Sequence, residues 1–284
     1  MKGSEMMKWV LAGFMGLAVA TSPLAQSYGV PAELLDNTRR MDGDRLQVCL
    51  DQTGKTNDFD RAVAQAIADA LFLTAEFHEG FGGYPTSGAG FLDELQIAMT
   101  NTCDIMPGMT VQENSPFPEW AVLSRPYVSL PYTLAVADDY RTLLDIPRDR
   151  KLGTALSSMG ERVFITWNQQ RPEDQRFVRL PYADMKLMAK RVADGSIAGM
   201  IVWQPVLAEL RKTGNPDAAV LHSIPMAPVP DMVTRVGILM KRRDSYLRTQ
   251  VDQAIDALVA DGTIAGLMQD FGYEGIAGDA KHVQ

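Results

Sequence analysis

The sequence predicts an α/β fold of two lobes, each a mostly parallel sheet flanked by helices, joined by two crossings. Before residue 138, segments alternate as strand, helix, strand, helix, strand, which is typical of a parallel sheet with right-handed crossovers. A charged stretch at 138–150, which contains Pro147, interrupts this alternation. A second set of strands and helices follows it. We therefore expect a cleft between the lobes and hinge closure on a ligand.

Composition narrows the class of protein. The chain has 284 residues, of which 46% are hydrophobic and 22% charged, enough for one large domain or two lobes. Its net charge of −8 argues against nucleic acid as a partner, because nucleic-acid binding needs a basic face.

The first residues read as a targeting segment. Lys2 and Lys8 precede the apolar run Trp9–Ala20, and small residues at Ala25–Ser27 suit a cleavage site. The run is shorter than the roughly 20 apolar residues that a membrane span needs. We predict a signal peptide at 1–27 and export to the periplasm. The first part of lobe one is then 28–137, lobe two is 138–226, and 227–284 returns to complete lobe one.

The first lobe begins with alternating strands and helices. A strand is predicted at Leu46–Leu50, a helix capped by Asp58 at Phe59–Leu71, and a second strand at Thr74–His78. A glycine-rich loop at 80–90, which contains Tyr84, leads into a helix at Phe91–Met99. Asp51, just beyond the first strand, either faces the cleft or is a solvated loop carboxylate.

The segment Thr102–Thr110 organises the fold. Cys103, Ile105 and Met106 suit a buried strand, and Pro107-Gly108 is expected to end it. At the carboxyl end of this strand, main-chain groups with little side-chain cover are followed by the Thr110 hydroxyl. Such a strand end suits a small ligand in an open α/β sheet.

The two cysteines, Cys49 and Cys103, lie in two predicted strands. An even number of cysteines in an oxidising compartment favours a disulfide. The alternative is two buried thiols, because pairing requires close Cα atoms.

The second lobe contains a candidate polar site. A strand near Leu152 is followed by Ser157 and Ser158, which come before a predicted helix at Glu161–Asn168. Hydroxyls and free amides at a helix start form an anion- or dipole-binding site. Further elements are predicted at Phe177–Leu180, Met185–Ala193, Gly199–Trp203, Val206–Arg211, Thr234–Met240, Asp244–Ala260 and Thr263–Phe271.

Trp203 ends a buried strand, where it either stacks on a ligand or fills the core.

The sequence contains few motifs that indicate catalysis. None of the three histidines pairs with another ligand at metal-binding spacing, and no Gly-x-Ser-x-Gly elbow occurs. Gly54-Lys55-Thr56 lacks the upstream glycine of a phosphate loop. We predict no catalytic residue, no metal and no cofactor.

The mature chain resembles the periplasmic solute-binding proteins of family 3. The matching segments are Leu46–Val48, Asp58–Asp60, Cys103–Thr110, Ser124–Tyr127 and Ile255–Gly272. The resemblance implies the type II periplasmic-binding-protein fold. It also implies a role in delivering a small solute to the permease of an ABC transporter.

Two positions depart from the amino-acid-binding members of that family. This chain has Asn114 where they carry an arginine that holds the ligand's carboxylate, and Trp203 where they carry an aspartate for its ammonium group. An α-amino acid is therefore not the expected ligand, because its charges would lose water without gaining partners.

A narrower resemblance is to proteins associated with quinoprotein alcohol dehydrogenases, of the J type of methanol dehydrogenase systems. It depends on Cys49, Cys103-Asp104, Pro85 with Gly90-Phe91, and Ile201–Pro205, whereas Gln204 and Gly82–Tyr84 depart from that pattern. It implies a non-catalytic accessory role, with the dehydrogenase or its cytochrome as partner. One alternative is an ABC-transporter receptor for a small, neutral or weakly polar solute that is not a standard α-amino acid. The other is an enzyme such as a dehydratase, for which the sequence shows no paired acid and base.

Overall fold

A computed structural model describes residues 43–51, 54–81, 89–111 and 117–280. The predicted signal peptide, Tyr84 and Asn114 lie outside these residues, so their predicted roles stay predictions. No helix within the described ranges is both long and apolar enough to span a bilayer.

The chain folds into alternating strands and helices. Up to residue 136, these are β1 (Arg45–Asp51), α1 (Asn57–Ala70), β2 (Thr74–Phe81), α2 (Ala89–Asn101), β3 (Ile105–Thr110), β4 (Ala121–Leu123) and β5 (Val128–Val136). The middle of the chain forms β6 (Lys151–Ala155), α3 (Met159–Gln169), β7 (Val178–Tyr182), α4 (Met185–Ala193), β8 (Gly199–Trp203), α5 (Gln204–Lys212), α6 (Pro216–Ala219) and β9 (His222–Ile224). The last elements are β10 (Val233–Lys241), α7 (Ser245–Ala260), α8 (Thr263–Asp270) and β11 (Ile276–Ala277).

The strands form a curled mixed sheet in the order β2-β1-β3-β10-β5-β8-β6-β7. We call β1–β4, β10 and β11 with the start of β5 the first half, and β6–β9 with the end of β5 the second half. Parallel pairs form within each half, whereas β10 and β5 pair antiparallel with their neighbours. The predicted boundaries after residues 137 and 226 stay a prediction.

β5 belongs to both halves. Its residues Val128–Pro131 pair with β10, and its residues Tyr132–Val136 pair with β8. One strand therefore passes directly from the first half to the second.

Each half has its own apolar core. In the first half, Phe59, Val63 and Ile67 of α1 are fully buried, and they pack in one cluster with strand residues such as Val48 and Ile238. In the second half, Phe164 of α3 joins the apolar faces of β5, β6 and β8. Each such side chain contributes roughly 1.5–3 kcal/mol when it is fully buried.

β3 corrects one prediction. The strand continues through Pro107-Gly108 to Thr110, rather than ending at that pair. Gly108 adopts a φ of 85°, which the lack of a side chain permits, and a Cβ there would lie 2.7 Å from Asp60 Oδ2. The register with β10 shifts between Gly237 and Leu239, which absorbs the irregular stretch. Pro107-Gly108 therefore bends β3 without ending it.

The start of α1 corrects another prediction. The helix begins at Asn57 after Thr56, so Asp58 lies in the first turn instead of at the N-cap. The Thr56 side chain makes no cap hydrogen bond, because its hydroxyl donates to Asp60 Oδ2 at 2.7 Å.

The predicted disulfide is confirmed. It joins Cys49 in β1 to Cys103 just before β3, with the Cα atoms 5.7 Å apart. The buried Lys241 ammonium donates to the carbonyl oxygens of Met99 (2.9 Å) and Cys103 (3.0 Å). It also pairs with the Asp244 carboxylate at 3.3 Å. The end of α2 is thereby fixed against both β1 and β10.

Candidate functional site

A cavity of about 640 Å³ lies where the two halves meet. Its lining comes from the ends of β3 and β10 in the first half, and from β5, β8 and the start of α3 in the second. The lining residues are Thr110, Val111, Tyr132, Ser157, Ser158, Met159, Arg162, Trp203, Val233, Thr234 and Arg235. Two further cavities, of about 490 and 580 Å³, are lined by first-half residues alone.

The structure brings together four of the predicted ligand residues. Thr110, Ser157, Ser158 and Trp203 all line the cavity between the halves. Asp51, at the end of β1, is not among the lining residues. The sequence analysis missed Tyr132, Arg162 and Arg235, because neither their spacing nor their local sequence shows that they face one cavity.

The first turn of α3 is organised by Ser158 and Glu161. Ser158 is the N-cap, and its hydroxyl oxygen accepts a hydrogen bond from the Glu161 amide at 3.1 Å. Ser157 has a φ of 62°, which is rare for a residue with a side chain, and its amide donates to the Glu161 carboxylate at 2.7 Å. The Ser158 amide donates to the Ala155 carbonyl oxygen.

Tyr132 packs on the same turn. Burial raises the pKa of its hydroxyl, and the nearby amides of Met159 and Gly160 act in the opposite direction. A Cβ on Gly160 would lie 2.5 Å from Tyr132 Cδ1, so the ring packs directly on the helix. The amides of Ser157, Ser158 and Glu161 are used within the chain. The anion- or dipole-binding site at this helix start stays a prediction.

The Glu161 carboxylate is buried and fully partnered. It accepts from the Thr154 hydroxyl at 2.9 Å as well as from the Ser157 amide, and it forms an ion pair with Arg179. Its charge is therefore balanced inside the second half.

The charged residues that line the cavity are both arginines. Arg235 pairs with Asp279 at 3.6 Å. Arg162 is exposed, and its guanidinium has no ion pair within the part of the chain that the structure describes. No acidic side chain occurs among the described lining residues. The cavity wall is therefore net positive.

Trp203 lies between the cavity and the apolar core, and its stacking on a ligand stays a prediction. The indole lines the cavity, and it is half-buried against the core of the first half. Its Nε1–H donates to the Leu130 carbonyl oxygen at 3.3 Å. The neighbouring Gln204 is fully buried and donates to the Gly272 carbonyl oxygen at 3.0 Å. Trp203 is therefore held at the junction of the halves with one face available to the cavity.

A network of buried hydrogen bonds joins α1 to the bend of β3. The Tyr127 hydroxyl donates to Asp60 Oδ1 at 2.6 Å and accepts from the Gly108 amide at 2.9 Å. Burial raises the pKa of Asp60 to about 7, despite the hydrogen bonds from Tyr127 and Thr56. This network holds the bend of β3 two residues before Thr110.

The network had a signal in the sequence. Asp60 lies four residues before Ala64 and seven before Ile67, so it shares the buried stripe of α1. A carboxylate on such a stripe needs buried partners. Within the described ranges, no group of three or more histidine, cysteine or acidic side chains is placed to hold a metal ion.

Comparisons with known proteins agree with this architecture. No family model matches the chain. The probable amino-acid-binding protein YxeM of Bacillus subtilis is 22% identical over 234 residues, which is 81% of both chains.

Solved structures of substrate-binding proteins superpose on most of the chain. Substrate-binding domain 2 of Lactococcus lactis GlnP, in an open conformation, covers 82% of this chain and 97% of its own, with a TM-score of 0.63 and 15% identity. The L-cystine solute receptor of Neisseria gonorrhoeae, unliganded and open, covers 83% and 96%, with a TM-score of 0.60 and 18% identity. The chain therefore has the type II periplasmic-binding-protein fold, the α/β architecture of these solute-binding proteins.

Proposed function

We propose that this protein is the substrate-binding receptor of an ABC transporter and delivers a small solute to its permease. The observation that carries the proposal is the cavity between the halves, lined by strand ends of both and by the start of α3. Ligand sites in open α/β sheets lie at such strand ends. The similar proteins are a probable amino-acid-binding protein, a substrate-binding domain and an L-cystine solute receptor, and they support the same role.

The proposed solute is not a standard α-amino acid. The ammonium group of an amino acid needs an anionic or strongly polar partner once it leaves water. The described lining offers hydroxyls, arginines and apolar groups but no carboxylate. We further propose that the protein is not an enzyme, because the described lining residues include no acid and base that would work as a pair.

Tryptophan fluorescence tests solute binding directly. The exported chain is titrated with a library of small solutes, and unfolding temperature is recorded alongside. A solute that binds should quench Trp203 and raise the melting temperature, and Trp203→Ala should weaken its affinity. Trp167→Phe is the control, because Trp167 stacks on Phe177 instead of lining the cavity. A library without any stabilising solute would contradict the receptor role.

A second candidate is an accessory protein of a quinoprotein alcohol dehydrogenase. One observation favours it: the Cys49–Cys103 disulfide joins two of the positions that carry the narrower resemblance. The proposed partner is the dehydrogenase or its cytochrome. Co-purification from periplasmic extract under mild conditions distinguishes the candidates, since the accessory role requires a stable complex and the receptor role requires a solute.

A further inference from the structure

We infer that the cavity binds a small organic anion with an apolar body, and that Arg162 is its charged contact. This inference rests on the proposed function and specifies the class of solute. It concerns an arginine on α3 in the second half, a residue that the sequence analysis did not single out.

The balance of charge around α3 leaves Arg162 without a counter-charge. Glu161, on the same turn, is neutralised by Arg179. Arg235, on the opposite wall, pairs with Asp279. Arg162 has no such partner among the described residues, and it stands in the first turn of a helix, where the dipole already favours an anion. A bound anion would neutralise the Arg162 guanidinium and would also interact favourably with the helix dipole.

The position of Arg162 directs it to the cavity. Burial raises the pKa of the Tyr132 hydroxyl, and the nearby Arg162 guanidinium acts in the opposite direction. Tyr132 itself lines the cavity and packs against Gly160 at the start of α3. Arg162 lines the same cavity, so its guanidinium is the charged group that an anion meets at this wall.

The other residues that line the cavity indicate the chemical character of the rest of the ligand. Apolar surface comes from Val111, Met159, Val233 and the Trp203 indole. Hydroxyls at Thr110, Ser157 and Thr234 supply hydrogen bonds but no charge. A carboxylate attached to an aliphatic or aromatic body matches this division, whereas a zwitterion leaves its ammonium unpaired.

Matched probes test the inference. The panel comprises 3-phenylpropanoate and hexanoate, each with its amide and its primary amine, titrated into the exported chain by fluorescence and calorimetry. At least one carboxylate should bind about ten-fold more tightly than its amide, as expected for a charge-assisted hydrogen bond. Arg162→Gln should abolish that preference, and Arg162→Lys should retain part of it. Arg248→Gln, an equal charge change at an exposed position of α7, should leave it unchanged.

The outcomes separate the inference from the function on which it rests. If an amide or amine binds as tightly as its carboxylate, the anion assignment is wrong and the receptor proposal stands. If the carboxylate preference survives Arg162→Gln, the role of Arg162 is wrong. If no probe binds and no solute of the wider library stabilises the protein, both proposals are contradicted.

Discussion

Asp60 is the residue whose chemistry most affects the backbone beside the cavity. Its carboxylate is buried between α1 and β3 and accepts hydrogen bonds from Tyr127 and Thr56. Desolvation by burial is the largest cause of its raised pKa, and the Asp51 charge adds to it. The bend at Gly108 therefore depends on a group that changes charge near neutral pH.

The pH dependence of stability should follow from Asp60. Its pKa is about 7 when folded and about 3.9 when unfolded. The folded state then holds the extra proton between these values, and stability falls as pH rises from about 4 to about 7, by up to about 4 kcal/mol. Asp60→Asn should remove this slope. Urea unfolding at several pH values measures it.

Asp58→Asn is the control for that experiment. Asp58 lies two residues before Asp60 in α1, but its side chain is 77% exposed. Equal pH slopes in the wild-type protein and Asp60→Asn would show that the buried carboxylate is not the cause.

Individual residues of the site were predictable only in part. Thr110, Ser157, Ser158 and Trp203 end or begin elements, and strand ends of an α/β sheet meet at one edge, so their convergence follows from pattern. Tyr132 reaches α3 from β5, and this contact depends on how the helix packs on the strand within the second half. No local spacing carries that information.

At the scale of elements, the disulfide ties β1 to the start of β3. The two strands are parallel neighbours, paired at Val48 and Ile105. The bond spans 54 residues of chain, which include α1, β2 and α2. It therefore restrains a βαβ segment that forms one wall of the first half.

Reduction should destabilise this segment markedly. A loop of 54 residues corresponds to about 4 kcal/mol of lost unfolded-state entropy when it is closed. Guanidinium unfolding with and without a phosphine reductant measures the loss. The Cys49→Ala, Cys103→Ala double variant should already lack this stability and should not respond to the reductant. A wild-type protein that is equally stable in both conditions would contradict the expectation.

The first and last residues of helices and strands were predictable where a regular pattern of apolar residues is long, or where a capping residue or a glycine marks the start. α4 and β8 occur at the predicted residues, because the N-cap Asp184 and the glycine at 199 mark their starts. β4, α6, β9 and β11 were missed, because two to four residues are too few to show a period. β3 was cut short in the prediction because Pro-Gly usually breaks a strand, whereas Tyr127 and Asp60 support the bend here.

At the scale of the whole molecule, β5 determines how the halves can move. The pairing changes from β10 to β8 between Pro131 and Tyr132. The second passage between the halves lies between β9 and β10, a stretch that contains Pro225, Pro228 and Pro230. A hinge motion that changes the cavity must be absorbed at these two places.

Amide exchange should therefore report solute binding at the two passages. With a solute that raises the melting temperature, deuterium uptake should fall in peptides covering 129–134 and 225–232. Peptides from the buried face of α1 should exchange at the same slow rate in both states. Mass spectrometry of pepsin fragments provides the measurement. Uniform protection of the whole chain would indicate general stabilisation instead of closure.

The two-lobed fold was predictable from the alternation of elements and its interruption at 138–150. The curled sheet continuous through β5 was not, because a strand that changes partners midway looks in sequence like any other apolar strand. Its run Val128–Val136 carries no break at the switch except Pro131, which edge and bulge positions also tolerate.

The contact between Gly160 and Tyr132 limits what natural or laboratory evolution can do at this site. A single methyl group at residue 160 would collide with the aromatic ring. The ring would have to move away from the start of α3 and into the space that a ligand needs. Variation in ligand size among descendants of this protein should therefore arise from the opposite wall, at Val111 and Val233, while position 160 stays glycine.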